Sequence, residues 1–267
     1  MHNEIDNAHA FYNHPTNNKY RKEQYMKEQL YTIPVNEVFE SDCECPLCKM
    51  REQLERNAIE YTLGPSYMED DNRAMTDEAG FCARHIDMLY HEKNRLGLAL
   101  ILSTHMQKVT KDLEKLSEGS TPSGGSIFKK RETSSLGAYV DKLKNRCFIC
   151  DRINDTFDRY VDTIFHLYKK DPAFSDKIKN SKGFCTYHFA LLFDKAQDFL
   201  SKDVLEHFLS DIKKVYFDNM KRMQEDIEWF INKFDYRYQN EPWKNSKDAL
   251  PRAVMKTHST LTSDIKE

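Results

Sequence analysis

Six of the seven cysteines fall into two copies of one pattern, and no other feature constrains the chain so tightly. The first copy reads Cys45-Pro46-Leu47-Cys48 and then Gly80-Phe81-Cys82-Ala83-Arg84-His85. The second reads Cys147-Phe148-Ile149-Cys150 and then Gly183-Phe184-Cys185-Thr186-Tyr187-His188. Cys48 and Cys82 are 34 positions apart and Cys150 and Cys185 are 35, so one inserted residue reconciles two units that repeat after 102 to 103 residues. Apolar neighbours align too: Leu47, Ile59, Phe81, Met88 and Leu89 match Ile149, Val161, Phe184, Leu191 and Leu192. Self-similarity at a fixed period marks an internal duplication.

A CxxC turn presents two thiolates to one ion, and CxxH at a helix start places a thiolate and an imidazole on the same face. One pair of each completes a Cys3His tetrahedron. Zinc suits four such ligands, since it imposes no redox change and accepts sulfur and nitrogen alike. We therefore expect two structural Zn(2+) ions, held by Cys45, Cys48, Cys82 and His85 and by Cys147, Cys150, Cys185 and His188. Spacing also permits Cys45 and Cys48 to join Cys185 and His188, but pairing within each copy is the simpler expectation. The alternatives are an iron–sulfur cluster, buried thiols beside unrelated histidines, and a CxxC thiol–disulfide reagent. Cys43 has no counterpart in the second copy and is expected to be incidental.

Leu47, Met50, Leu54, Ala58 and Tyr61 recur at helical spacing until Gly64-Pro65, and Ile149, Ile153, Phe157, Tyr160, Ile164 and Leu167 do so until Asp171-Pro172. A shorter polar helix should bring each chain back to its GFCxxH turn, giving a hairpin with both ligand pairs at its base. Further helices are expected at 85–92, 96–118, 188–200 and 204–234. In the last of these, Leu205, Phe208, Leu209, Ile212, Val215, Tyr216, Met220, Met223, Ile227, Phe230 and Phe234 form one long stripe. Only 8 Gly and 8 Pro in 267 residues leave few of the turns an all-β chain needs. The expected fold is all-α: two pseudo-repeated helical hairpins, each closed by a Cys3His site, plus long packing helices. The expected division is 1–118 for the first repeat, 119–136 for a Gly/Ser-rich linker, 137–238 for the second repeat and 239–267 for a tail wrapping the surface or fraying.

With 40 basic and 43 acidic side chains the formal charge is −3, which argues against a general polyanion binder. Lys129 to Arg131 and Lys142 to Arg146 supply only local positive charge, so nucleic acid is a weak alternative partner. No apolar run approaches the roughly 18 residues of a membrane span, and Met1 to Asn18 has no apolar signal core, so the expected location is the cytoplasm. Tyr67, Glu69, Asp70 and Asp71 are candidate ligand or partner contacts, and helix N-terminal charge bias explains the acids equally well. His91, His105, His166 and His207 sit in helical stretches where packing or exposure accounts for them.

Tyr31-Thr32-Ile33-Pro34-Val35-Asn36-Glu37 leading into the first CxxC, then Leu63 to Asp71, Asn94-Arg95-Leu96-Gly97 and Glu241-Pro242-Trp243, resemble an uncharacterised bacterial domain-of-unknown-function family across most of the chain. The resemblance implies a bacterial, intracellular helical protein with paired Cys/His sites, and no activity. The common nucleophile, phosphate-loop and zinc-protease motifs are absent from the sequence, so no reaction is named. The expected role is a zinc-stabilised scaffold or adaptor that binds a protein or small molecule. The alternative is a metalloenzyme or a redox or metal sensor using one of the two sites.

Overall fold

The computed structural model describes residues 30–118 and 133–259, and among these every regular element is helical. Met1 to Asn18, the Gly/Ser-rich part of the expected linker with Lys129 to Arg131, and the last residues of the tail lie outside the described residues. Helix α1 occupies 30–40. It is followed by α2 (Pro46–Leu63), a 3-10 turn (Pro65–Met68), α3 (Asp70–Ala79), α4 (Ala83–His91) and α5 (Arg95–Glu118). The second half contains α6 (Ser135–Lys144), α7 (Phe148–Lys170), α8 (Pro172–Asn180), α9 (Thr186–Phe199), α10 (Lys202–Asn232) and α11 (Ala249–His258). No helix among the described residues is long and apolar enough to cross a membrane.

The duplication is written in the backbone as well as the sequence. Cys45 and Cys147 cap α2 and α7 with extended dihedrals of −152°, 109° and −157°, 123°. Cys82 and Cys185 cap α4 and α9 at −72°, 164° and −74°, 164°. Before each of these stands a glycine with positive φ, 60° at Gly80 and 77° at Gly183, a conformation that L side chains rarely adopt. Gly64-Pro65 ends α2 and Asp171-Pro172 ends α7, as their chemistry requires. Asp171 also starts the return helix, its carboxylate accepting the Ala173 N–H at 2.9 Å.

Helices α2 and α7 form the centre of the molecule. Leu47, Met50, Leu54, Ala58 and Ile59 of α2 and Ile149, Ile153, Phe157, Val161, Ile164 and Phe165 of α7 are buried in one continuous core. Arg51 reaches Asn154 and the Phe157 ring, while Arg152 lies over Tyr61, so the two helices run antiparallel. That direction carries the start of each helix alongside the body of the other. It places the two CxxC knuckles at different ends of the central pair, each beside the GFCxxH turn of the other copy.

One expectation needs correction. The apolar stripe of α10 is buried at Phe208, Ile212, Val215 and Met223, but the helix ends at Asn232, and Phe234, beyond it, is 74% exposed. The segment after Tyr238, expected to wrap the surface or fray, packs through α11 on α9 and α10, with Ala249 and Lys256 fully buried.

Candidate metal centres

The structure assembles two Cys3His groups, and it exchanges their halves. Cys45 and Cys48 of the first copy meet Cys185 and His188 of the second, while Cys82 and His85 of the first meet Cys147 and Cys150 of the second. Pairing within each copy is thereby overturned, and each hairpin is not closed by its own ligands. The antiparallel packing of α2 on α7 is the physical cause. It follows that the described residues 30–118 do not hold a complete Cys3His site of their own.

The geometry suits a tetrahedral ion. In the first centre Cys48 Sγ lies 3.6 Å from Cys185 Sγ, and His188 Nδ1 lies 3.5, 3.3 and 3.2 Å from Cys45, Cys48 and Cys185. In the second, His85 Nδ1 lies 3.3 Å from each of Cys82, Cys147 and Cys150, and the Cys82 and Cys150 sulfurs are 3.9 Å apart. Zinc bonds of about 2.3 Å to sulfur place tetrahedral ligands about 3.8 Å from one another. Both histidines present the same nitrogen to the sulfurs, as expected of duplicated sites.

Three sulfurs so close cannot all ionise without a positive charge among them. In the first centre burial, then hydrogen bonding with Cys185, pushes Cys45 up to about 12, and the neighbouring sulfurs Cys185 and Cys45 push Cys48 up. The same contacts with Cys45 and Cys48 hold Cys185 down. In the second, burial resists ionisation of Cys147, but the hydrogen bond to His85 and backbone N–H groups bring it down to about 6. Burial and the Cys147 charge push Cys150 up to about 12. Each cluster of three sulfurs is therefore suited to a metal cation at its centre.

The two centres differ in their surroundings. Glu55 stands seven residues after Cys48, and its Oε1 lies 3.0 Å from His85 Nε2. Arg84 grips the same carboxylate through two bonds of 2.9 and 2.8 Å. Burial resists the Glu55 charge, yet the bonds from His85 and Arg84 prevail and hold its pKa at about 2. A carboxylate on the far nitrogen fixes the tautomer and raises the basicity of a ligating imidazole. Phe157, seven residues after Cys150, takes the corresponding place at the first centre, its ring 5.5 Å from that of His188. All three thiols of the first centre are buried, whereas Cys82 and Cys150 are partly exposed. A cavity of about 430 Å³ lies between the centres, with Cys48 and His188 on one side and His85, Cys150 and Glu55 on the other.

The first centre is closed by charge from the far end of the chain. Glu44, 4% exposed, accepts bonds from Arg222 at 2.5 Å and Arg252 at 3.5 Å and lies 3.4 Å from the Lys256 ammonium. Burial opposes its ionisation, but Arg222, Lys256 and Arg252 keep the carboxyl below its usual range. Comparing the two copies position by position points to the Glu55 and Phe157 pair. Nothing in the sequence around Lys256 or Ser259 marks them.

The remaining candidates stand apart. Cys43 belongs to neither group and contacts the Ser41 hydroxyl at 3.5 Å. Glu69, Asp70 and Asp71 are exposed around the N-terminus of α3, where carboxylates favour the helix, and Tyr67 packs against the core. His105 Nδ1 is bonded to the Asp77 carbonyl at 2.9 Å, and His91 lies 3.5 Å from Asp87 on the surface.

The model of a family of unknown function, DUF6062, matches residues 26–264, a span that contains both centres and α11. The chain belongs to this family. No curated protein and no solved structure matches it. Membership in DUF6062 therefore agrees with the resemblance seen in the sequence and assigns no activity.

Proposed function

We propose that this DUF6062 protein is a zinc-stapled helical scaffold, with two Zn(2+) ions joining the two copies and the remaining surface serving a protein or small-molecule partner. The observation that carries the reading is the pair of Cys3His groups, each with its four ligand atoms within 4.8 Å of one another and each drawn from both halves of the duplication. Each ion would act as a clip between segments 62 to 143 residues apart, so the two copies fold as one unit rather than as separate domains. Four protein ligands leave no position for substrate, which favours a structural over a catalytic ion. Thiolate ligation on this scale suits a reducing compartment such as the cytoplasm. Metal analysis of protein purified anaerobically without added metal tests the reading: two zincs per chain and no visible absorption are expected, and iron or no metal overturns it.

A second reading rests on the partial exposure of Cys82 and Cys150 and on the cavity that Cys150 borders. The second centre would then exchange its ion or react at sulfur, as a metal or redox sensor does.

A further inference from the structure

The two CxxC knuckles are tied to their partner turns in different ways. At the second centre the Phe148 N–H donates to the Gly80 carbonyl at 2.9 Å, a backbone bond joining the Cys147 knuckle directly to the turn that carries Cys82. Phe148 corresponds to Pro46 in the first copy, and Gly80 corresponds to Gly183. Proline has no N–H, so the first centre cannot make this bond.

A lysine from α11 bridges the same two segments instead. Lys256 is fully buried, and its Nζ donates to the Glu44 carbonyl at 2.6 Å and to the Lys182 carbonyl. Glu44 immediately precedes the ligand Cys45, and Lys182 lies three residues before the ligand Cys185. The same helix end brings the Ser259 hydroxyl to 2.8 Å from Cys185 Sγ, and Thr186, next to Cys185, donates its hydroxyl to the Lys256 carbonyl at 3.2 Å. Arg252, one turn earlier, meets Glu44 at 3.5 Å and Asp226 at 2.9 Å. A Cys3His zinc centre carries one net negative charge, which a hydroxyl donor on sulfur and a neighbouring ammonium offset. At the second centre Arg146 and Ala79 correspond to Glu44 and Lys182, and the Phe148–Gly80 backbone bond already joins their segments.

We propose that α11 is a clamp specific to the first centre, with Lys256 and Ser259 as positioning residues that make metal binding there conditional on docking of the C-terminal helix. Lys256 replaces the backbone bond that Pro46 forbids. Occupancy and docking are then linked reciprocally, so a partner that pulled α11 away would release one ion and leave the other in place. The inference rests on the two-metal reading given above.

The experiment compares the full-length zinc-loaded chain with Lys256→Met, a substitution of similar length that removes the donor. Zinc affinity is read by chelator competition and native mass, and thiol protection by alkylation mapped to each cysteine. The first centre should weaken about 10- to 100-fold, the range seen when the hydrogen-bond partners of a metal ligand are removed. Cys45, Cys48 and Cys185 should become reactive while Cys82, Cys147 and Cys150 keep their wild-type protection. Ser259→Gly, which removes the hydroxyl but suits a φ of 56°, should weaken the same centre without disturbing the helix end. Adding Pro46→Ala to Lys256→Met restores a backbone N–H and should recover part of the lost affinity. Equal weakening of both centres, or wild-type affinity at the first centre in Lys256→Met, overturns the proposal. A double variant that recovers nothing overturns the replacement of the backbone bond by Lys256. A wild-type chain without zinc refutes the two-metal reading itself, a result separable from all of these.

Discussion

Replacing Cys82 with serine separates the exchanged pairing from pairing within each copy, because the thiols released differ. Serine is not a thiolate at neutral pH, so the second centre loses one of its four ligands and with it the clip between Cys82 and Cys150, which stand 68 residues apart. A cross-link closing 68 residues removes about 4 kcal/mol of denatured-chain entropy, on the loop-closure relation used for disulfides. The clip at the first centre, across the 137 residues from Cys48 to Cys185, is worth about 5 kcal/mol on the same relation. At about 2–4 °C per kcal/mol for a domain of this size, Cys82→Ser should lower Tm by roughly 10–15 °C and leave one zinc bound. The deciding assay is alkylation of the native variant followed by peptide mass analysis. Cys147 and Cys150 should label at once, with Cys45, Cys48 and Cys185 still protected. Labelling of Cys45 and Cys48, with Cys147 and Cys150 protected, would show that each copy closes its own site and would refute the exchange.

Three further outcomes follow from the surroundings of the centres. Glu55→Gln removes the carboxylate from His85 Nε2 and should weaken the second centre alone, about 10- to 100-fold by zinc competition, since Phe157 and not a carboxylate stands at the first. Gly80→Ala places a Cβ 3.1 Å from the His105 ring at a φ of 60° and should cost about 1–3 kcal/mol in chemical denaturation, with loss of metal from the second centre first. Glu44 has its pKa lowered in the folded chain, so its stabilisation is complete above the unfolded value of 4.5 and is lost as pH falls through the depressed one. Glu44→Gln should therefore flatten the fall of Tm with acid below that pH relative to wild type, and an unchanged slope counts against the buried charge cluster.

Much of the local structure was legible in the residues. Pro46, Gly64-Pro65 and Asp171-Pro172 bound their helices through restrictions on φ and on backbone donors that act within a few residues. The stripes of α2 and α7 identified core positions because helical spacing puts Leu47, Met50 and Leu54 on one face whatever that face meets. The same logic overreached in α10, where periodicity carried the stripe on to Phe234 although the helix ends at Asn232. The acidic run after Gly64-Pro65 was readable as helix-start chemistry, and α3 begins there.

The sequence by itself determined the ligand types, the number of Cys/His sites and the turns that carry them, because CxxC and GFCxxH geometry is set by local backbone. It did not determine which half-site meets which. That choice depends on the relative direction of α2 and α7, a property of interhelical packing to which spacings of 34 or 102 residues are indifferent. The tertiary structure alone decided the exchange of ligand pairs, the carboxylate on one histidine against a phenylalanine on the other, and the approach of Lys256 and Ser259 to the first centre. These contacts join residues up to 212 positions apart. No local pattern encodes the approach of Lys256 and Ser259, which arises only when buried carbonyls and sulfur find donors in the assembled core.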